Sequence, residues 1–170
     1  MQRPPEVEVP EYFRQYTNLV ADGDVLAILG AQIEETTALL RGVDEERADF
    51  RYAEGKWSIK EILGHLADSE RVFAYRALSF ARGETTSLPG YDHDSYVQHA
   101  DLEERSLQDV VSEYGFIRRS NIALFEGFSE RAWVREGSAN GIAMKARVVP
   151  YILAGHELHH RSVLQERYEI

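Results

Sequence analysis

Cysteine is absent from this chain of 170 residues. Its absence excludes disulfide bonds and thiolate metal ligands, and it leaves histidine, aspartate and glutamate as side chains able to hold a metal ion. The lack of disulfides also fits a cytoplasmic protein, which is the location we expect. Any reaction of this protein that needs a thiol must take that thiol from a small molecule.

Positive charge and long apolar segments are also scarce. The chain has 19 lysines and arginines against 29 aspartates and glutamates, and no basic stripe that could neutralise phosphates, so we expect no nucleic-acid binding. No apolar run is long enough to span a membrane, and the first residues lack the apolar segment of a signal peptide. The length suits one domain over residues 1–170.

Hydrophobic spacing predicts four long helices and no convincing strand. They cover about 24–41, 58–82, 101–126 and 144–167, after a short amphipathic helix within residues 1–22. Ser58 and Glu61 predict a capping box at the start of the second helix, and Asp101 with Glu104 predict the start of the third. Pro150 predicts a kink in the fourth helix or a later start.

The segments between these helices limit the possible architecture. Residues 83–100 form a connection interrupted by glycine, proline and aspartate, and a loop of this length is usually functional or a crossover. Residues 135–143 predict a turn-rich loop or a small hairpin. Together the segments predict an all-α protein, a four-helix bundle with a long crossover between helices 2 and 3. Cofactor sites in such bundles are built from inward-facing side chains.

Three of the six histidines lie within residues 156–160 of the fourth helix. His156 and His160 are one turn apart and fill a gap in its apolar stripe, so both imidazoles can reach one ion. His159 falls to one side of the stripe, and Glu157 lies about 100° from His156 around the helix, which places it off the stripe. The alternative is a pair of core histidines bonded to carbonyl groups. The stripe itself comprises Val149, Ile152, Leu153, Val163 and Leu164.

His65 is the candidate for a third metal ligand. It lies two turns into the second helix between Ile62 and Leu66, so it borders the core. Three histidines from two helices leave open positions for water or substrate, as a catalytic metal requires. Its alternative role is a solvated or carbonyl-bonded histidine. His93 and His99 in the crossover are close enough in sequence to reach the site, but loop histidines are more often surface residues.

The segment His156-Glu157-Leu158-His159-His160 also matches the zinc-protease pattern H-E-x-x-H. That pattern needs a third ligand further along the chain. The metzincin spacing would place Gly at 163 and His at 166, where this chain has Val163 and Glu166, and only ten residues follow His160. We therefore do not expect a protease.

The combination of motifs resembles the DinB/YfiT-like superfamily. The resemblance rests on residues 52–71 (YAEGKWSIKEILGHLADSER), 73–77 (FAYRA), 89–92 (PGYD) and 154–160 (AGHELHH). It implies a four-helix bundle, one divalent metal ion, nickel or zinc in many cases, held by residues matching His65, His156 and His160, and frequently a homodimer. Characterised relatives are mostly transferases or isomerases that activate a low-molecular-weight thiol.

Three functions follow from these residues and this resemblance. The leading one is a metal-dependent transferase that activates a small thiol for attack on an electrophile. The second is a hydrolase that uses metal-bound hydroxide, for which Glu61 and Asp68, one turn either side of His65, are candidate bases. The third is a metal-binding module without turnover. Arg76 is a candidate for meeting an anionic substrate group, although a salt bridge is its commoner role.

Helical phase and the crossover suggest further residues around the site. Ser69, Val72 and Arg76 share the face of the second helix that carries His65. Tyr91, Asp92 and Tyr96 on the crossover are candidates for covering it.

Overall fold

The computed structural model describes residues 3–170. Four long helices dominate it: α2 (Val25–Leu39), α4 (Ile59–Arg82), α6 (Leu107–Glu126) and α8 (Val149–Tyr168). A short helix, α1 (Glu11–Thr17), precedes them, and three others stand between them: α3 (Glu45–Ala48), α5 (His93–Gln98) and α7 (Glu130–Trp133). A hairpin of β1 (Glu136–Ala139) and β2 (Ile142–Lys145) precedes α8.

The four long helices form a closed ring. Helices α6 and α8 each pack against both α2 and α4, so α2 lies diagonally opposite α4. The connection from α4 to α6 is the long crossover and carries α5, while α1 packs along α8. This arrangement confirms the predicted four-helix bundle. No helix within residues 3–170 is long and apolar enough to cross a membrane.

The second long helix begins and ends where the sequence predicts. Ser58 Oγ accepts a hydrogen bond from the backbone N–H of Glu61, and Glu61 Oε2 accepts one at 2.6 Å from the backbone N–H of Ser58. These two bonds complete the capping box. Gly83 follows with φ +85°, a left-handed conformation that glycine adopts without steric cost. Local sequence therefore fixes the position of the helix that carries His65.

The predicted start of the third long helix is wrong by five residues. Asp101 adopts a left-handed φ of +46° and precedes a 3-10 turn, Leu102–Glu104, and Ser106 caps α6 instead. The turn lets Leu102 enter the core, where its side chain occupies the space that a Cβ on Gly64 would fill. Burial of Leu102 against α4 thus overrides the weaker capping signal of Asp101.

The hairpin and the start of α8 form one compact unit. The strands pair antiparallel with Glu136 opposite Lys145, and Leu88 of the crossover adds a parallel bridge to Ala139. A 3-10 turn, Ala146–Val148, then leads into α8, and Pro150 lies in its first turn. The hairpin is one of the two forms expected for residues 135–143, although β2 extends to Lys145. The fourth helix begins at Val149 rather than near residue 144, which is the later start that Pro150 offered as an alternative to a kink. The unit packs on α4.

The core consists of two apolar clusters. One surrounds Phe73, Phe80 and Ile152, and the other surrounds Leu66 and Leu164. The buried polar residues of the bundle interior belong to neither cluster: Gln32, Thr36, His65, Glu70, Arg118, Asn121 and Glu157.

Glu157 lies in the interior, contrary to the prediction from helical phase. Its position about 100° from His156 predicts a side chain off the core-facing stripe of α8, but the side chain is completely buried. Because α8 is packed by α1, α2 and α4, its buried surface is wider than one apolar stripe. A carboxylate at this position is accommodated by polar partners on other helices.

Candidate metal centre

Three histidine nitrogens converge between α4 and α8. Nε2 of His156 lies 3.1 Å from Nε2 of His65 and 3.1 Å from Nε2 of His160. Candidate ligand atoms of the three residues all lie within 4.8 Å of one another. His65 is buried, and the other two are half-buried. The structure therefore brings together the three residues that the sequence singled out.

This geometry suits a metal ion better than a hydrogen-bonded network. A ring nitrogen carries either one proton or one lone pair, so Nε2 of His156 has a single hydrogen-bonding capacity for its two neighbours. One cation at the centre would satisfy all three nitrogens. Two nitrogens on a tetrahedral zinc ion lie about 3.3 Å apart, close to the separations observed here.

Burial keeps the three imidazoles neutral. It lowers the pKa of His65 to about 4, with a further contribution from His93, and lowers the pKa of His160 to about 3, with contributions from the neighbouring histidines. The pKa of His156 is also well below its ordinary value, chiefly because the side chain is buried. Neutral imidazole is the form that binds metal, so the site needs no deprotonation near neutral pH.

Aromatic rings enclose the histidines. The Trp57 ring centroid lies 4.7 Å from that of His65 and is stacked 6.3 Å from that of His160. On the other side Tyr16 of α1 meets His156 edge-on at 5.3 Å. Burial raises the pKa of Tyr16 to about 12, so its hydroxyl stays protonated. These rings restrict solvent and hold the imidazoles in one orientation.

The histidines open into a cavity of about 490 Å³, a size typical of small-molecule sites. Its lining includes His65, His156 and His160, which are called the triad from here on. The other lining residues come from α1, α4, α8, the crossover and the hairpin. No aspartate or glutamate of the described chain belongs to the lining, which comprises Tyr12, Phe13, Tyr16, Trp57, His65, Ser69, Phe73, Arg76, Tyr91, His93, Ala139, Asn140, Ile142, Met144, Ile152, His156, His159 and His160.

Polar groups mark the part of the cavity next to the crossover. Tyr91 forms a hydrogen bond of 2.8 Å with Ser69, tying the crossover to α4. Arg76 is buried, and its Nη2 donates to the carbonyl of Pro89 at 3.2 Å. Both Ser69 and Arg76 lie on the cavity, as their shared helical face with His65 predicted, whereas Val72 is not part of its lining.

The two carboxylates considered as bases lie elsewhere. Glu61 completes the capping box and pairs with Arg51 at 2.7 Å. Asp68 pairs with Arg71 at 3.3 Å and lines a separate cavity. The pKa of Asp68 is raised, and burial is the largest cause of this shift. Neither carboxylate borders the histidine cavity.

The remaining histidines divide between the two cavities. His93 lines the histidine cavity, with its ring centroid 5.6 Å from that of His65, but it is not part of the converging set. His159 borders the cavity from an exposed position. Nδ1 of His99 lies 2.7 Å from the Ser95 carbonyl, and His99 lines the other cavity together with Tyr96. Asp92 caps α5.

A buried ionic group next to the triad was missed by sequence reasoning. Arg118 of α6 is completely buried, and its Nε donates to Glu70 Oε1 at 2.8 Å. Its Nη1 lies 2.8 Å from Glu157 Oε2 but donates to Leu29 and Gln32, so the Glu157 contact is an ion pair without an aligned hydrogen bond. Arg118 occupies the apolar stripe of α6, which is the signal that could have revealed it.

Comparisons with known proteins show the family and support the fold. The family model for the DinB superfamily matches residues 28–164. YfiT from Bacillus subtilis, described as a probable metal-dependent hydrolase with an unusual four-helix bundle topology, is similar in structure. Its TM-score is 0.70 at 16% identity, covering 99% of this chain and 94% of YfiT.

A second similar structure is the mycothiol-dependent maleylpyruvate isomerase. Its TM-score is 0.68 at 15% identity, covering 86% of this chain and 61% of the isomerase. At these identities the two structures support the fold. No protein of curated function matches the sequence.

Proposed function

Because this chain belongs to the DinB superfamily, we propose that it is a metal-dependent enzyme that transfers a small thiol to an electrophile. His65, His156 and His160 hold one divalent ion, with nickel and zinc as the leading choices. The thiol is a low-molecular-weight compound, since the chain has no cysteine of its own.

One observation favours thiol transfer over hydrolysis. The cavity contains three neutral histidines, and no aspartate or glutamate of the described residues lines it. A divalent ion held by three neutral ligands lowers the pKa of a bound thiol or water. Thiol activation of this kind needs no general base from the protein. Hydrolysis more often uses one, and Glu61 and Asp68 lie outside the cavity.

The protein's own residues prepare the site. The depressed histidine pKa values keep three lone pairs available at neutral pH. Trp57 and Tyr16 shield the imidazoles from bulk water. Phe73 and Met144 supply an apolar surface for the substrate. The similar isomerase depends on mycothiol, which supports a thiol as the co-substrate here.

A conjugation assay tests the proposal. Protein purified without a nickel column is loaded with zinc or nickel and given monochlorobimane or chlorodinitrobenzene with a panel of cellular thiols. We expect metal-dependent conjugation with at least one thiol above the uncatalysed rate, and none with His65→Ala. Absence of metal-dependent conjugation across the whole panel would reject thiol transfer.

Hydrolysis is the second candidate, favoured by the description of YfiT as a probable metal-dependent hydrolase. In this case the triad activates water in place of the thiol. Ester, amide and phosphoester substrates offered without thiol test it directly. Metal-dependent release of product that is unaffected by added thiol would favour this function over the first.

A binding module without turnover is less well supported. Such a site is normally closed by a fourth protein ligand, and the converging set within residues 3–170 has three. The open cavity beside the triad instead leaves room for a substrate. A homodimer and a cytoplasmic location remain predictions, and light scattering on the purified protein tests the first.

A further inference from the structure

Arg76 is a buried cation without an acidic partner. Only 6% of the residue is exposed, yet none of the salt bridges among residues 3–170 includes it. Within residues 3–170 its one hydrogen bond goes from Nη2 to the Pro89 carbonyl. A guanidinium carries five N–H donors, so most of its donors have no partner among the described residues. The salt bridge expected as its commoner role is not found in that part of the chain.

Its neighbours hold the guanidinium in place without neutralising it. The group lies 4.9 Å from the Phe73 ring centroid and 5.9 Å from that of Tyr91. These aromatic faces fix the guanidinium plane and leave the charge uncompensated. Burial lowers the pKa of Arg76, but arginine stays charged in proteins. A largely buried charge of this kind is normally paired, and no carboxylate among residues 3–170 forms a salt bridge with it.

Arg76 lines the same cavity as the histidine triad and shares a helix with His65. The two residues are eleven positions apart, which is close to three full turns, so they lie on one face of α4 about 16 Å apart along its axis. Helical side chains lean toward the N-terminus, which directs Arg76 toward the triad. The same cavity has an apolar part that includes Phe73, Ile142 and Met144.

We propose that Arg76 forms an anion subsite that binds the carboxylate of a small molecule whose apolar body crosses the cavity toward the triad. The substrate class is therefore an aryl or alkyl carboxylate. A guanidinium suits this group because its parallel N–H donors match the two carboxylate oxygens. This assignment deepens the proposed function and rests on it for the identity of the reaction, but binding of the carboxylate requires no turnover.

Calorimetry with matched ligands tests the subsite. The probes are 4-phenylbutyrate and its neutral amide, 4-phenylbutyramide, titrated into metal-free and zinc-loaded protein without thiol. We expect the carboxylate to bind wild-type protein at least tenfold more tightly than the amide. Arg76→Gln should abolish this preference and Arg76→Lys should retain part of it. Arg119→Gln, which changes an exposed arginine beside Phe116, should leave it unchanged.

Two results would overturn the proposal: equal affinity of wild-type protein for carboxylate and amide, or a preserved preference in Arg76→Gln shown to be folded by circular dichroism. Equal affinity in metal-free wild-type protein overturns the proposal even where the variant fails to fold. A preference that Arg76→Lys retains in part, in metal-free protein, supports it where Arg76→Gln fails to fold. This titration contains no thiol or electrophile. A failed conjugation assay therefore does not affect the conclusion about carboxylate binding, and a failed titration does not affect the conclusion about thiol transfer.

A second arm identifies which molecule carries the carboxylate. Zinc-loaded protein is titrated with 3-mercaptopropionate and with the neutral thiol 2-mercaptoethanol. An Arg76-dependent preference for 3-mercaptopropionate assigns the carboxylate to the thiol. A preference confined to 4-phenylbutyrate assigns it to the second substrate.

Discussion

Nε2 of His65 lies 3.1 Å from Nε2 of His156, although 91 positions separate the two residues in the chain. The contact joins α4 to α8 and brings His160 with it, since His160 lies one turn further along α8. Neither helix alone supplies three ligands. The candidate metal centre therefore depends on the packing of these two helices.

Removal of a triad histidine should abolish stoichiometric metal binding. We expect His65→Ala and His156→Ala to weaken zinc binding by more than about a hundredfold. Loss of a residue that only supports a metal ligand weakens binding by about 10- to 100-fold, and loss of the ligand itself should weaken it more. Elemental analysis after dialysis and calorimetry measure this. His99→Ala, which alters an exposed histidine in the other cavity, is the control. Full metal content in both triad variants would disprove the assignment.

The metal-free protein should lose stability as the pH falls below about 6.5. Burial holds the pKa of His65 at about 4 and that of His160 at about 3. Between pH 6.5 and these values the unfolded chain binds protons that the folded chain does not. Acid therefore favours unfolding, by roughly 1 kcal/mol per pH unit for each histidine. Below pH 3 both states are protonated and the loss levels off.

Urea unfolding of chelator-treated protein at pH 7, 6 and 5 measures this dependence. His65→Gln should reduce the slope of unfolding free energy against pH by roughly 1 kcal/mol per unit, because one of the depressed groups is removed. A slope that is the same in wild type and His65→Gln would contradict the assigned pKa of His65.

The buried ionic group should be sensitive to loss of its arginine. Arg118→Met leaves Glu70 and Glu157 buried without their cation, so we expect a loss of about 3–5 kcal/mol in the free energy of unfolding. Denaturant unfolding measures it. Arg119→Met, one position along on the exposed surface, should change stability by less than about 0.5 kcal/mol. Equal effects of the two substitutions would show that the buried pairings contribute little.

Gly155 marks the closest approach of α1 to α8. A Cβ at this position would overlap the backbone carbonyl of Tyr16, and backbone cannot move aside as a flexible side chain can. We expect Gly155→Ala to destabilise the protein by about 2 kcal/mol. Displacement of α1 would also move Tyr16 away from His156 and lower activity. Chemical unfolding and the conjugation assay measure the two effects.

Gly30 provides the matched control. It also lies within a long helix, but a Cβ there would meet nothing within 4 Å. Gly30→Ala should therefore stabilise the protein by about 0.5–1 kcal/mol through helix propensity alone. Destabilisation by both substitutions would indicate a general intolerance rather than a close contact at Gly155.

Local signals in the sequence predicted the elements that local physics controls. Ser58, Glu61 and Gly83 define α4 because caps act within a few residues of the chain. His156 and His160 face one direction because helical geometry requires it. Even His65 could be selected from its phase, since His65, Ile62 and Leu66 border the core together.

Tertiary packing decided the rest. Helical phase shows that a residue faces inward, but it does not show which residue of another helix it meets. For this reason the pairing of Arg118 with Glu70 and Glu157 could not be predicted from the sequence. The burial of Leu102, which displaces the start of α6, could not be predicted either.

The same holds for the site as a whole. The sequence by itself determined the helices, their caps and three inward-facing histidines, because these depend on neighbours within one or two turns. Only the tertiary structure brought Arg76, Tyr91 and Trp57 to one cavity and kept Glu61 and Asp68 away from it. The physical reason is that contacts between distant segments depend on how whole helices pack, and no local pattern records that packing.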